Sequence, residues 1–384
     1  QMSPDVIVVG AGPAGSICAL VLARAGVRVR IVDRASFPRD KLCGDSVNPG
    51  TLAALARLGV SNEIEGRGLP IAGMRITGPG GVAIDARYPG GLRGVTITRC
   101  ELDQILLSHA VGAGASLETG RTVRAPLLTD RAGAPVVEGV EVDAAGLREK
   151  WKARVVVAAD GRRSTLAFAL KLTMHPPRPK RWAIGAYVDA PSLANPAMGE
   201  MHIRHGRYLG VAPLPGGRTN VCLVMPSSGG GCDFGDPPAL LRREIEAEPM
   251  LRDRFASSRM VRPPVMLGPL AIAPTGRTVD GLLLAGDAAG FIDPMTGDGL
   301  RFAVQGGELA AQAAIDALEH GWTGVHARFA DNCRREFAGK RRFNRTLRTL
   351  VSSPAALRLA SAGARVAPFV LKAMVAYAGD CSRR

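Results

Sequence analysis

Asp5-Val6-Ile7-Val8-Val9-Gly10-Ala11-Gly12-Pro13-Ala14-Gly15 carries the reading of the fold. Five residues rich in β-branched side chains run into a glycine loop, and an Ala-rich apolar stretch to Ala25 follows. The run reads as a buried parallel strand and the stretch as a helix. Gly26 stops that helix, and Val27 to Val32 give a second strand ending at Asp33. Each glycine has a separate task in such a unit. Gly10 permits the tight turn, Gly12 admits a pyrophosphate to the backbone, and Gly15 lets helix and strand touch. Pro13 and Ala14 open the helix, whose free N–H groups and positive dipole end face the phosphates. Asp33 lies 18 residues beyond Gly15, with Arg34 beside it, and is placed to accept hydrogen bonds from ribose hydroxyls. The motif by itself does not separate NAD from FAD.

Two distant segments repeat the strand-to-loop pattern. Arg154–Asp160 runs into Gly161-Arg162-Arg163-Ser164. Gly281–Asp287 runs into Ala288-Ala289-Gly290-Phe291-Ile292-Asp293-Pro294-Met295-Thr296-Gly297-Asp298-Gly299-Leu300, with a helical segment to about Leu318. A strand ending in Gly286-Asp287, like one ending at Asp160, puts a carboxylate at the carboxyl edge of a sheet. There Asp287 is positioned for a ribityl hydroxyl. The Gly297-Asp298-Gly299 loop brings helix-start N–H groups to the flavin N1–C2=O edge, which gains negative charge on reduction.

These three segments together resemble the FAD-binding fold shared by p-hydroxybenzoate hydroxylase-like monooxygenases, flavin-dependent halogenases and geranylgeranyl reductases. Arg99-Cys100-Glu101-Leu102-Asp103 is similar to that group's Arg-x-x-x-Asp segment, which implies that Arg99 lies near the FAD as a cationic partner. Phe37-Pro38-Arg39-Asp40-Lys41-Leu42-Cys43-Gly44 resembles the Pro-Arg-x-Lys-x-Cys-Gly segment of the geranylgeranyl reductase branch. Gly290 stands where aromatic hydroxylases more often carry His, and the isolated Trp151, Trp182 and Trp322 do not form the halogenase Trp-x-Trp-x-x-Pro segment. The resemblance implies that Cys43 and Gly44 line the reaction cavity, where the thiol either supplies a proton or merely packs. The branch's Tyr-x-Trp-x-Phe-Pro strand corresponds to Tyr208-Leu209-Gly210-Val211-Ala212-Pro213, in which Gly210 and Ala212 reshape the cavity. Tyr208 is a candidate substrate contact, with packing the favoured role.

The remaining sequence bounds the function class. The 384 residues are 46% hydrophobic and 22% charged, with 49 Lys and Arg against 34 acids, a net charge of +15. No nucleic-acid motif accompanies that charge, so phosphate-bearing ligands or a membrane surface are the expected anionic partners. Seven cysteines without CxxC spacing argue against a disulfide framework or zinc site and for a reducing cytoplasm. No apolar run reaches the roughly 18 residues of a spanning helix, and the early glycine loop argues against a signal peptide. Runs at 181–189, 199–205, 208–213 and 219–225 predict antiparallel strands with a turn at Gly216-Gly217-Arg218. His202 and His205 then point to opposite faces, against a shared metal.

The expected architecture is α/β. A discontinuous Rossmann-type FAD-binding domain takes 1–60, 95–165 and 265–320. An antiparallel β-sheet substrate domain takes 61–94 and 166–264, and a helical C-terminal tail takes 321–384. The tail reads as a cap, or as an interfacial helix peripheral to a membrane. The leading function is reduction of a C=C bond in a small apolar, isoprenoid-like or secondary-metabolite substrate. An FAD monooxygenase and an electron-transfer flavoprotein serving a quinone or protein partner are the alternatives. NADH or NADPH enters only as a donor that the resemblance implies.

Overall fold

The computed structural model of the chain describes residues 3–144, 146–177, 181–189, 197–227 and 234–381. Val6–Val9 (β1) is buried at every position, as a strand covered on both faces must be. It lies at the centre of a five-stranded sheet. Val155–Ala158 (β6) and then Leu282–Leu284 (β11) lie on one side, with Val29–Val32 (β2) and then Ser116–Glu118 (β5) on the other. All the pairings are parallel, with Val6 opposite both Val155 and Val29.

Pro13–Arg24 (α1) and Gly299–His320 (α4) pack on one face of this sheet. Their axes come close because Gly307 has no side chain: a Cβ there would stand 2.5 Å from the carbonyl oxygen of Ala14. The opposite face is covered through Val137, Val140 and Val142. They belong to a three-stranded antiparallel sheet of Thr122–Arg131, Ala134–Ala144 and Leu147–Lys152, which the sequence reading did not separate from its surroundings.

The second large sheet has eight strands. Six of its strands run in the order Arg181–Asp189 (β7), Arg218–Pro226 (β10), Arg207–Pro213 (β9), Met198–Arg204 (β8), Gly73–Gly78 (β3) and, at the edge, Val82–Arg87 (β4). The expected antiparallel order holds except where β8 runs parallel to β3. Val265–Leu267, expected with the FAD-binding segments, pairs instead with β7. One face carries Leu209, Val211 and Leu223 onto the helices Pro237–Glu246 and Pro249–Phe255. The other carries Tyr208 and Val224 toward Met295 and Val351. The two-residue period of a strand therefore divides this sheet between a packed back and a functional front.

Three helices follow: Val325–Ser352 (α5), Pro354–Val366 (α6) and Pro368–Ala378 (α7). Pro354 and Pro368 sit in the first turn of α6 and α7, where the absent N–H is not missed. Among the described residues no single helix is long and apolar enough to cross a membrane; α6 and α7 meet at 107°.

A candidate dinucleotide cradle and an apolar cavity

The three glycine-bearing strand ends meet in space. Gly10, at φ +101°, passes so close to the β6 end that a Cβ would lie 2.5 Å from the oxygen of Ala159. A Cβ on Gly15 would overlap the oxygen of Gly10, and one on Gly286 would stand 2.8 Å from Cβ of Ala14. The tips of β1, β6 and β11 and the start of α1 thus form one continuous edge. No side chain caps α1 at Gly12, and Pro13 occupies its first turn. Asp33 accepts from the amide of Ala11 through Oδ2 and from that of Ala35 through Oδ1, both at 2.8 Å. Each oxygen keeps a second acceptor position. Arg34 is exposed, and its charge acts on Asp160.

Cations gather over this edge. The guanidinium of Arg39 lies 3.4 Å from where a Cβ of Gly12 would be. It also pairs with Asp103 at 3.1 Å. Arg99 is buried and grips Asp103 with two bonds of 2.7 and 2.9 Å. Lys41 lies beside Gly161. Loss of hydration and then the neighbouring Arg99 push its ammonium below its usual range, while Asp287 opposes that shift. Burial also raises the carboxyl of Asp160. Its Oδ2 accepts from Thr165 at 2.9 Å, and its buried Oδ1 has no hydrogen-bond partner among the described residues. An uncapped helix start, glycines that bring strand ends into contact, three cations and an orphaned carboxylate oxygen fit a dinucleotide carrying a pyrophosphate and polyol hydroxyls.

The loop between β11 and α4 is held from behind. Asp293 caps the turn at Met295 N, and Asn344 of α5 donates to Asp293 O and Thr296 Oγ1, both at 2.9 Å. Gly297 takes φ +68° and is free on its outer side. Asp298 turns its carboxylate inward, 3.2 Å from Lys340, and Leu300 is buried in the core. From Pro294 to Gly299 the loop therefore presents backbone, and the side chains of Asp298 and Leu300 serve the interior.

Next to this loop runs the segment bearing Cys43 and Gly44. Gly44 lines a cavity of about 560 Å³, whereas Cys43 is not in its wall. The Cys43 thiol lies within hydrogen-bonding reach of Arg99, on the side of the cationic cluster. Asn220 of β10 donates to Cys43 O at 2.7 Å and to Asp45 Oδ2 at 2.6 Å.

The cavity is walled almost wholly by apolar groups. Its wall includes Gly44, Gly297 and Cys222, the strand residues Gly210, Ala212 and Ile76, and residues of α6 and α7. A Cβ on Gly210 would meet only the oxygen of Cys222, at 3.8 Å, so the missing side chain there leaves volume open. Tyr208 is placed differently from the substrate contact considered for it. It is buried outside the cavity wall, and its hydroxyl donates to Asp293 Oδ1 at 2.5 Å. His202 is buried against Glu200, while His205 is exposed; no metal-binding cluster occurs among the described residues.

Arg39 and Lys41 lie in the segment singled out from the sequence, but their place over the cradle was not read from it. Asp45, Asn220, Lys340 and Asn344 were missed. Only Asp45 carried a local signal, its adjacency to Cys43-Gly44.

A parallel sheet with a dinucleotide edge, joined to a second sheet that floors an apolar cavity, defines an FAD-dependent oxidoreductase. The chain belongs to the FAD binding domain family, which it matches over residues 3–335. It is 32% identical over 335 residues to menaquinone reductase of Mycolicibacterium smegmatis, covering 80% of this chain and 75% of that one. It is 30% identical over 345 residues to digeranylgeranylglycerophospholipid reductase 2 of Methanopyrus kandleri, covering 88% and 83%. Among solved structures it resembles a geranylgeranyl bacteriochlorophyll reductase-like protein of Thermoplasma acidophilum, with TM-score 0.78, 22% identity, and 94% and 95% of the two chains covered. It also resembles a flavin-dependent brominase, with TM-score 0.84, 17% identity and coverage of 99% and 94%. These last two likenesses concern the fold.

Proposed function

We propose that the chain reduces a carbon–carbon double bond in an isoprenoid lipid. The observation that carries this is the apolar cavity of about 560 Å³, whose wall takes in Gly44 of the Cys43 segment and Gly297 of the loop that follows β11. Bound, reduced FAD supplies a hydride from N5. Gly10, Gly12, Pro13, Ala14 and Gly15 would hold its pyrophosphate, with Arg39, Lys41 and Arg99 balancing the charge. Asp33 and Arg34 would serve the adenosine end, and Asp160, Gly286 and Asp287 the ribityl chain. Backbone from Pro294 through Gly297, Asp298, Gly299 and Leu300 would face the pyrimidine edge. The cavity wall aligns the prenyl chain and excludes water. Cys43, beside Arg99 and next to Gly44 in the chain, is the proposed proton-bearing group. NADH or NADPH is the proposed electron donor.

The same helices give the lipid its route. Leu359, Val366 and Phe369 on α6 and α7 are 76%, 88% and 70% exposed, among the exposed Arg358, Arg365 and Lys372. Apolar side chains ringed by cations suit the surface of an anionic bilayer, so the chain works from the cytoplasmic face as a peripheral protein.

The test is product analysis with and without oxygen, using a prenyl lipid and a chemical reductant. Saturated product formed without oxygen supports the proposal. Product formed only in oxygen, and carrying labelled oxygen, identifies a monooxygenase. Electron uptake with no change in the lipid identifies an electron carrier.

A further inference from the structure

Asp45 is the buried acid of the Cys43–Gly44 segment and takes no direct part in the reduction proposed above. It holds a left-handed backbone at φ +50°, a conformation Asp reaches more readily than most residues. Its side chain is 1% exposed. Oδ1 accepts from the amide of Arg99 at 3.2 Å, and Oδ2 from Asn220 Nδ2 at 2.6 Å. The hydroxyl of Tyr187, on β7, also reaches the carboxylate. Three elements thus converge on one carboxylate: the start of Arg99–Gly112 (α3), β7 and β10.

The Asn220 amide is the informative member. Its NH₂ group faces two acceptors, the carbonyl of Cys43 at 2.7 Å and the Asp45 carboxylate. Two acceptors fix the amide with its nitrogen toward both, because its own oxygen would repel them. A protonated Asp45 is a donor. It would be better matched by the amide oxygen, and turning the amide to present that oxygen would strip the Cys43 carbonyl of its donor.

We propose that Asp45 is a positioning residue for the reductive site: ionised, it locks the Asn220 amide onto the Cys43 carbonyl, and on taking up a proton it releases the Cys43–Gly44 backbone where Gly44 meets the cavity. Asn220 lines that cavity, so the switch acts on the wall the substrate meets. This rests on the reading that Gly44 borders the ring end of the FAD.

The charged and titratable groups around Asp45 bear on its range. Burial raises its carboxyl most, while Asn220, Tyr187 and the nearby Arg99 charge lower it, and the balance lies at about 6. Cys43 precedes it by two residues. Cys222, on β10, is also within its electrostatic reach, and burial pushes that thiol up to about 12, so it stays neutral throughout. Within this cluster, Asp45 is the group whose range lies near pH 6.

The test is a pH titration of the visible spectrum of the FAD-loaded protein, a readout independent of turnover. The wild-type spectrum should shift with one inflection near pH 6. In Asp45→Asn the shift should be lost. In Tyr187→Phe, which removes one bond that favours the ionised acid, the inflection should move to higher pH. An unchanged inflection in Asp45→Asn overturns the proposal; if that variant does not hold FAD, an unchanged inflection in Tyr187→Phe overturns it. Cys43→Ala separates the two levels. If it leaves the flavin spectrum unaltered at every pH, the segment is not at the ring and the underlying reading fails too.

Discussion

The carboxylate of Asp33 ties the end of β2 to the glycine loop, accepting from the amide of Ala11 at 2.8 Å across 22 residues of sequence. The same group is the proposed acceptor for the adenosine ribose. Asp33→Ala removes both. Hydrogen bonds to a charged group are each worth about 1.5–3 kcal/mol, so FAD affinity should fall on the order of 10- to 100-fold while the buried core keeps the chain folded. Flavin content after gel filtration and a Kd measured by fluorescence quenching check this. An unchanged flavin content would count against the assignment of Asp33.

Gly210 faces open volume, and the nearest atom to a Cβ there is the oxygen of Cys222 at 3.8 Å. Gly210→Trp should therefore fold and retain FAD, with the indole filling the middle of the cavity. KM for a long prenyl substrate should rise about tenfold or more, the scale of losing one or two buried methylene contacts. KM unchanged would place the substrate elsewhere.

The Cys43 thiol contacts Arg99 rather than the cavity wall. Cys43→Ser keeps the size of the group but replaces its acidity, so turnover should fall with FAD content intact. Full activity would assign Cys43 to packing.

Much of the cradle was legible because it is local. Gly10 to Gly15, Asp33 and Gly286-Asp287 each sit at a strand end whose pattern is complete within a dozen residues. What was not legible is pairing at a distance. Asn220 meets Asp45 across 175 residues, and no periodicity marks it. Asp298 read as part of a loop that offers N–H groups, and nothing local marked the pairing of its carboxylate with Lys340 of α5. The parallel pairing of β8 with β3 escaped because strand alternation is the same in either direction. Tyr208 lies on the strand face expected to meet substrate, yet Asp293, 85 residues away, takes its hydroxyl.

Val366 and Phe369 are 88% and 70% exposed at the α6–α7 bend. The double variant Val366→Glu, Phe369→Glu should bind FAD normally and lose co-flotation with vesicles containing anionic lipid. Co-flotation equal to wild type would remove the bend from any membrane contact.

Asp45 also sets a stability trend. Its carboxyl is held at about 6 in the folded chain against 3.8 for an ordinary Asp. The folded state therefore keeps the proton more tightly than the unfolded one. The stability this contributes is fully present below pH 3.8 and is lost as pH rises to about 6. The difference amounts to about 3 kcal/mol. Denaturation of wild type and Asp45→Asn at pH 4 and pH 7.5 should show wild type losing ground between the two values relative to the variant. Parallel behaviour would mean that Asp45 titrates normally.

Reduction of the lipid requires electrons to pass from the flavin straight into a chain held in the cavity of α6 and α7. Stopped-flow absorbance of the reduced, bleached protein, mixed anaerobically with a prenyl lipid, follows that step alone. Oxidised-flavin colour should return at a rate set by lipid concentration. Colour that returns only when oxygen is admitted would contradict it.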